Sequence, residues 1–142
     1  MMKKILVPVD GSEHARKALE TACDFALKYG ATICLLHVVS PPPALFHEGA
    51  FALPDVQKLL EEDGAKFIET AKRETKRRGV KDVQSTVVQG DPATGIIKFA
   101  RAEDIDMIVI GSRGLTGIKE FVLGSVSHRV THLADCTVTV VK

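Results

Sequence analysis

The chain has no tryptophan and a single tyrosine, and aromatic residues fill only 5% of its 142 positions. Stacking surfaces for unpaired bases are therefore scarce. Charge of either sign is not in excess either: 19 basic and 18 acidic residues leave a formal net charge of +1. Neither a nucleic-acid backbone nor an anionic membrane is given a reason to bind. No apolar run approaches the roughly 18–20 residues that cross a bilayer. The apolar stretch after Met1-Met2-Lys3-Lys4 stops at Pro8 and Asp10, too soon for a secretory core. Cysteine is sparse and odd in number: Cys23, Cys34 and Cys136 stand far apart, which suits reduced thiols better than a disulfide frame. These absences lead us to expect a cytoplasmic chain with no membrane and no nucleic-acid partner.

What is present is an ordinary globular balance, 45% hydrophobic and 26% charged, at a length that suits one domain spanning 1–142. Ile5 to Val9 and Thr32 to Val39 are short continuous apolar runs, the pattern of strands covered on both faces. Pro8 has no N–H for a ladder, so pairing should weaken at the end of the first strand. Asp10-Gly11-Ser12-Glu13 carries cap chemistry from either Asp10 or Ser12. The helix it opens places Ala15, Ala18, Leu19, Ala22, Ala26 and Tyr29 at helical spacing and closes at Gly30.

Ser40-Pro41-Pro42-Pro43 ends the second strand, and the long connection to Leu53 suggests a lid. Asp55 to Arg78 reads as a long amphipathic helix on Val56, Leu59, Leu60, Phe67, Ile68 and Ala71, with Gly64 its weak point and a solvated basic end. Val83 to Val88 alternates and belongs at a sheet edge. Asp91 as N-cap and Pro92 at the first helical position open a third helix. Asp106 to Ile110 is a fourth strand, about Ser125 to Leu133 a helix, and Thr137 to Val141 a last strand. Strands alternating with helices predict a parallel sheet with helices on both faces.

The fourth strand runs into Gly111-Ser112-Arg113-Gly114, and Gly124-Ser125-Val126-Ser127 opens the following helix. Glycine lets backbone approach a ligand closely, and a helix start offers N–H donors and a positive dipole end to an anion. Taken alone, this stretch is equally an ordinary strand-to-helix turn. Ligands in such sheets bind beyond the carboxyl ends of strands, where the strand order reverses. If the first and fourth strands are neighbours, Asp10 and Gly111 face one crevice. Asp10 is then either a cap or an acceptor for a ligand in that crevice. His128 and His132 stand one turn apart, but nothing nearby completes a metal set. His37 reads as structural and Cys34 as buried and inert.

With these segments in place, the sequence resembles the ATP-binding branch of the universal stress protein family. The likeness rests on Lys4 to Ser12, Leu35-Leu36-His37-Val38, Gly90-Asp91-Pro92, Asp106 to Gly114 and Leu123 to Ser127. Gly111, Gly114, Gly124 and Ser125 match the family's Gly-x2-Gly-x9-Gly-Ser/Thr motif. Arg113 stands where His is frequent, and Cys136-Thr137 replaces a frequent Pro.

The resemblance implies an open five-stranded parallel sheet of order 3-2-1-4-5, an adenine nucleotide α-hydrolase-like, Rossmann-like α/β fold. It implies ATP, with Mg²⁺ carried on the phosphates and no direct protein ligand to the metal. Pro8, Val9, Asp10 and Val38 would surround adenine and ribose, and Ile110, Gly111, Arg113, Gly114, Gly124, Ser125, Val126 and Ser127 the ribose and phosphates. It further implies a homodimer through Thr137 to Val141, whose β-branched edge has nothing after it to cover it. The function expected is nucleotide-dependent regulation of a downstream protein partner in a stress response, acting by conformational change. Two alternatives stand beside it: a slow ATP hydrolase or nucleotide-transferring enzyme, and a nucleotide-free dimeric interaction protein. The chain has no Gly-x4-Gly-Lys-Ser/Thr loop and no evident carboxylate cluster, so no residue is assigned a catalytic role.

Overall fold

Short apolar runs buried on both faces become the central strands, and the cap signals between them start helices. The structure, a computed structural model, describes residues 2–40, 54–113 and 123–142. In chain order it has β1 (Lys4–Pro8), α1 (Glu13–Tyr29), β2 (Thr32–Val39), α2 (Pro54–Arg77), β3 (Val83–Gln89), α3 (Pro92–Ala102), β4 (Met107–Gly111), α4 (Ser125–Leu133) and β5 (Thr137–Val141). The strands form one parallel sheet of order β3-β2-β1-β4-β5. The expected lid between Pro43 and Leu53 lies outside the described residues.

Successive side chains of a strand point to opposite faces, so each central strand feeds two cores. Ile5, Val7, Ile33, Leu35 and Val109 pack under α1 and α2, while Leu6, Cys34, Leu36, Ile108 and Ile110 pack under α3 and α4. Burial raises the thiol pKa of Cys34 and pushes that of Cys23 up to about 11, so both are inert at neutral pH.

Three expectations change. Tyr29, the last residue of α1, is exposed with its ring beside the Lys28 ammonium, and the buried face ends at Ala26. Leu59, 60% exposed, is off the buried face of α2, which instead runs through Gly64, Ile68, Ala71 and Thr75. Gly64 is thus the point of closest contact: a Cβ there would stand 2.5 Å from Cδ2 of His37. The basic end of α2 is also more than a solvated face. Arg78 reaches Glu20 of α1 at 2.7 Å and Glu74 at 3.0 Å, tying the two helices together.

Helix placement at the carboxyl edge follows from caps and contacts. Ser12, not Asp10, caps α1, its Oγ accepting from Ala15 N–H at 3.1 Å. Asp91 caps α3 through Thr94 N–H at 2.9 Å and pairs with Arg129 of α4 at 3.0 Å, joining the two helices on that face. A Cβ on Gly111 would stand 2.7 Å from the backbone carbon and oxygen of His14, so the start of α1 rests directly on the end of β4.

Two outcomes follow. Gly111→Ala should destabilise the fold by about 2 kcal/mol in urea unfolding, because the obstacle is main chain and cannot turn aside; unchanged stability would mean that α1 can shift. The Asp91 carboxyl is held below its usual range, chiefly by the Thr94 N–H and then by the hydroxyl of Thr94 and by Arg129. A lowered folded-state pKa contributes stability above the unfolded-state value, lost as pH falls through the folded value. Asp91→Ala should therefore cost about 1 kcal/mol at pH 7, and the gap from wild type should close below about pH 3.8.

Candidate functional site

The site is set by where pairing stops. β1 stays with β2 over its whole length, Lys4 to Pro8 opposite Thr32 to Leu36, and Val9 N–H adds a bond to Leu36 C=O at 2.8 Å. β4 likewise stays with β5 through Gly111 opposite Val141, and Ser112 N–H extends that ladder to Val141 C=O at 2.8 Å. Between β1 and β4 the register covers only Ile5 with Met107 and Leu6 with Ile108. Beyond those pairs the sheet divides into two wings at their carboxyl ends. This is where the strand order reverses, the place at which open α/β sheets take ligands.

On the β1–β2 wing, the chain turns away sharply. Asp10 Oδ1 accepts Ser12 N–H at 2.9 Å, and Gly11 has a φ of +81°, which favours glycine. A side chain there would strike the Phe67 ring of α2 at 2.5 Å. Val9 C=O accepts a hydrogen bond from His37 Nδ1 at 2.6 Å. A carbonyl only accepts, so the proton is on Nδ1. In a parallel ladder, a continued β1 would take Val38 N–H on Val9 C=O and give Gly11 N–H to Val38 C=O. Among the described residues neither bond forms. Val38 therefore presents a donor and an acceptor, side by side, toward the crevice.

On the β4–β5 wing, the first turn of α4 is pinned to the strand end. Gly124 N–H donates to Ser112 C=O at 2.8 Å, and the buried Ser127 hydroxyl donates to Gly111 C=O at 2.5 Å. Gly124 occupies the N-cap position and offers no side-chain acceptor. The N–H groups of Ser125, Val126 and Ser127 thus open the helix without a side-chain cap, at its positive dipole end.

The structure brings most of the expected residues to this edge. Pro8, Val9, Asp10 and Val38 lie on one wing; Gly111, Arg113, Gly124, Ser125, Val126 and Ser127 lie on the other. The Ile110 side chain is 5% exposed and belongs to the α3–α4 core, leaving only its backbone at the edge. Gly114 lies outside the described residues. Two features were missed from sequence: the His37 bond to Val9, and His14 beside Gly111, whose buried Nδ1 has no partner among the described residues. The first could have been suspected from a histidine ending an apolar strand; the second has no sequence signal.

Other chemistry is weakly represented among the described residues. No group of three metal-ligating side chains forms, and the His128 and His132 rings stack 6.4 Å apart on the α4 surface. A groove at the opposite sheet edge, lined by Ile97, Arg101, Asp104, Asp135 and Cys136, has an Arg101–Asp135 pair at 2.6 Å across it. No described helix is long and apolar enough to cross a membrane.

Comparison with known proteins agrees with this architecture. The family model described as "Universal stress protein family" matches residues 1–142. Universal stress protein YxiE of Bacillus subtilis is 33% identical over 149 residues, covering all of both chains. Universal stress protein MJ0531 of Methanocaldococcus jannaschii is 36% identical over 144 residues, covering all of this chain and 83% of its own. The solved structure of MJ0577, a second M. jannaschii universal stress protein, superposes with a TM-score of 0.84 at 37% identity, over all of this chain and 96% of that one. More distant fold neighbours include a universal stress protein in complex with cAMP (TM-score 0.73, 22% identity, 99% and 96% coverage) and one from Archaeoglobus fulgidus in complex with dAMP (0.73, 20%, 100% and 98%). One from Arabidopsis thaliana with AMP bound has a TM-score of 0.70 at 22% identity, over 99% of this chain and 91% of that one. With a full-length family match, whole-chain relatives and the five-stranded order in place, the chain belongs to the universal stress protein family.

Proposed function

We propose that the chain is an ATP-binding regulatory module whose nucleotide lies across the crevice between β1 and β4. One observation carries this reading: the open Val38 edge on one wing and the uncapped first turn of α4 on the other address the same gap. Adjacent N–H and C=O groups of an extended strand suit the ring nitrogen and exocyclic amine of adenine. Helix N–H groups with a positive dipole suit phosphate. The residues fit this division of labour. Pro8, Val9, Asp10 and Val38 would hold base and ribose, while Gly111, Arg113, Gly114, Gly124, Ser125, Val126 and Ser127 would hold phosphates, assisted by the Ile110 backbone. Asp10 keeps one oxygen on Ser12 N–H and would meet a phosphate-borne Mg²⁺ only through water.

The fold neighbours that hold adenine nucleotides support the choice of ligand class, and the Gly111–Gly114–Gly124–Ser125 spacing supports a triphosphate. The recognition groups at the described edge are mainly main-chain N–H and C=O groups, which favours regulation by occupancy over turnover. A ligand shifts an equilibrium only by binding one state better, and here it would draw the two wings together. The open β5 edge, Thr137–Val141, is where a second copy would pair, with cytoplasmic action and a downstream protein partner completing the proposal.

Equilibrium dialysis with ATP and Mg²⁺ should show saturable binding, one nucleotide per chain. Gly114→Val should abolish it while far-UV circular dichroism and the dimer in light scattering persist. No binding by the wild type would overturn the proposal.

A further inference from the structure

We infer that His37 is a positioning residue for the base: by occupying the Val9 carbonyl it stops the β1–β2 ladder one bond early and leaves Val38 free to read adenine. This rests on the nucleotide reading above. The physical basis is a competition for one acceptor. Buried backbone carbonyls are almost always bonded, and the default partner of Val9 C=O is Val38 N–H, the next rung of the parallel ladder. The ladder is in register up to that rung, since Val9 N–H already bonds Leu36 C=O at 2.8 Å. His37 Nδ1, at 2.6 Å, takes the carbonyl instead.

The ring is held in that role from two sides. Gly64 leaves room where a Cβ would stand 2.5 Å from His37 Cδ2 and 2.9 Å from Nε2. Phe67 meets the ring edge-on at a centroid distance of 5.6 Å. The same Phe67 lies where a side chain on Gly11 would be, so α2 braces both the ring and the turn that carries Gly11 N–H away from Val38 C=O. His37, Gly64, Phe67 and Gly11 thus form one device with a single result: both polar groups of Val38 stay unspent.

The consequence is discrimination between purines. Adenine offers an acceptor at N1 beside a donor at N6, complementary to Val38 N–H and C=O. Hypoxanthine offers the reverse, and ribose and phosphates held elsewhere keep the base from turning over. A site with fixed backbone donors rejects such an analogue because its own groups are left unpaired.

The test uses wild type, His37→Leu and His37→Asn, each checked for folding by circular dichroism. Asn carries an amide N–H in place of Nδ1–H; Leu carries none. In the free protein, amide exchange at Val38 should be fast in wild type and in the Asn variant. It should be at least about tenfold slower in the Leu variant, where the ladder closes. The Leu variant should bind ATP about tenfold or more weaker and lose most of the preference for ATP over ITP. The Asn variant should keep both within about threefold. A Leu variant with fast Val38 exchange and wild-type preference, or a folded Asn variant that behaves like Leu, would overturn the inference. Should the wild type bind neither nucleotide, the nucleotide reading fails, and base positioning fails with it. Should the wild type prefer ATP and the Leu variant keep that preference, only the role of His37 fails.

Discussion

The sheet of this protein is continuous at its amino edge and divided at its carboxyl edge, and the division between β1 and β4 conditions everything at the candidate site. Each strand keeps its outer neighbour to the end, so the split costs only the rungs between the two central strands. What holds it open is packing. The start of α1 rests its main chain on Gly111, and His37 draws the end of β1 toward β2 and α2. Close approach of backbone to backbone keeps the ladder between the wings open, and densely packed elements move as units rather than deform continuously.

The two wings carry opposite kinds of recognition made largely of the same material, the main chain. On the β2 side the unspent groups are those of an extended strand, paired donor and acceptor. On the β4 side they are the N–H groups of a helix start. Side chains mostly arrange this backbone: the Ser127 hydroxyl fixes Gly111, Asp10 shapes the turn at Gly11, and Asp91 with Arg129 joins α3 to α4. Under the proposed function, such a site would bind its ligand by the geometry of the main chain. The helices bracing the wings, α1 and α2, are joined by Arg78 to Glu20. Motion of one wing would therefore be felt on the outer surface of the α1–α2 layer.

Strands and helix starts were legible in the sequence because each has a local cause, whereas the strand order came from family likeness. Continuous apolar runs mark buried strands, Asp91-Pro92 marks a helix start, and glycines after β4 mark close approach. What was not legible depends on contacts distant in sequence. Gly64 reads as a flaw in an amphipathic helix until His37, from another element, is found in the space it leaves. Leu59 fits the helical period yet faces outward, since α2 packs on β2 and β3 along a stripe centred on Gly64 and Ile68. Arg78 looks like part of a solvated run until Glu20 appears opposite it. Val38 was placed at the site by family likeness alone; its unclosed rung is seen only from the register of β1 against β2.

The central claim is that one nucleotide bridges the two wings. Residue-resolved amide hydrogen exchange of the protein, with and without saturating ATP, tests it most directly. Joint protection of Val38 on one wing and of Ser125 and Val126 on the other is the expected result. Protection confined to one wing, or appearing instead around Arg101 and Cys136 at the opposite edge, would contradict it.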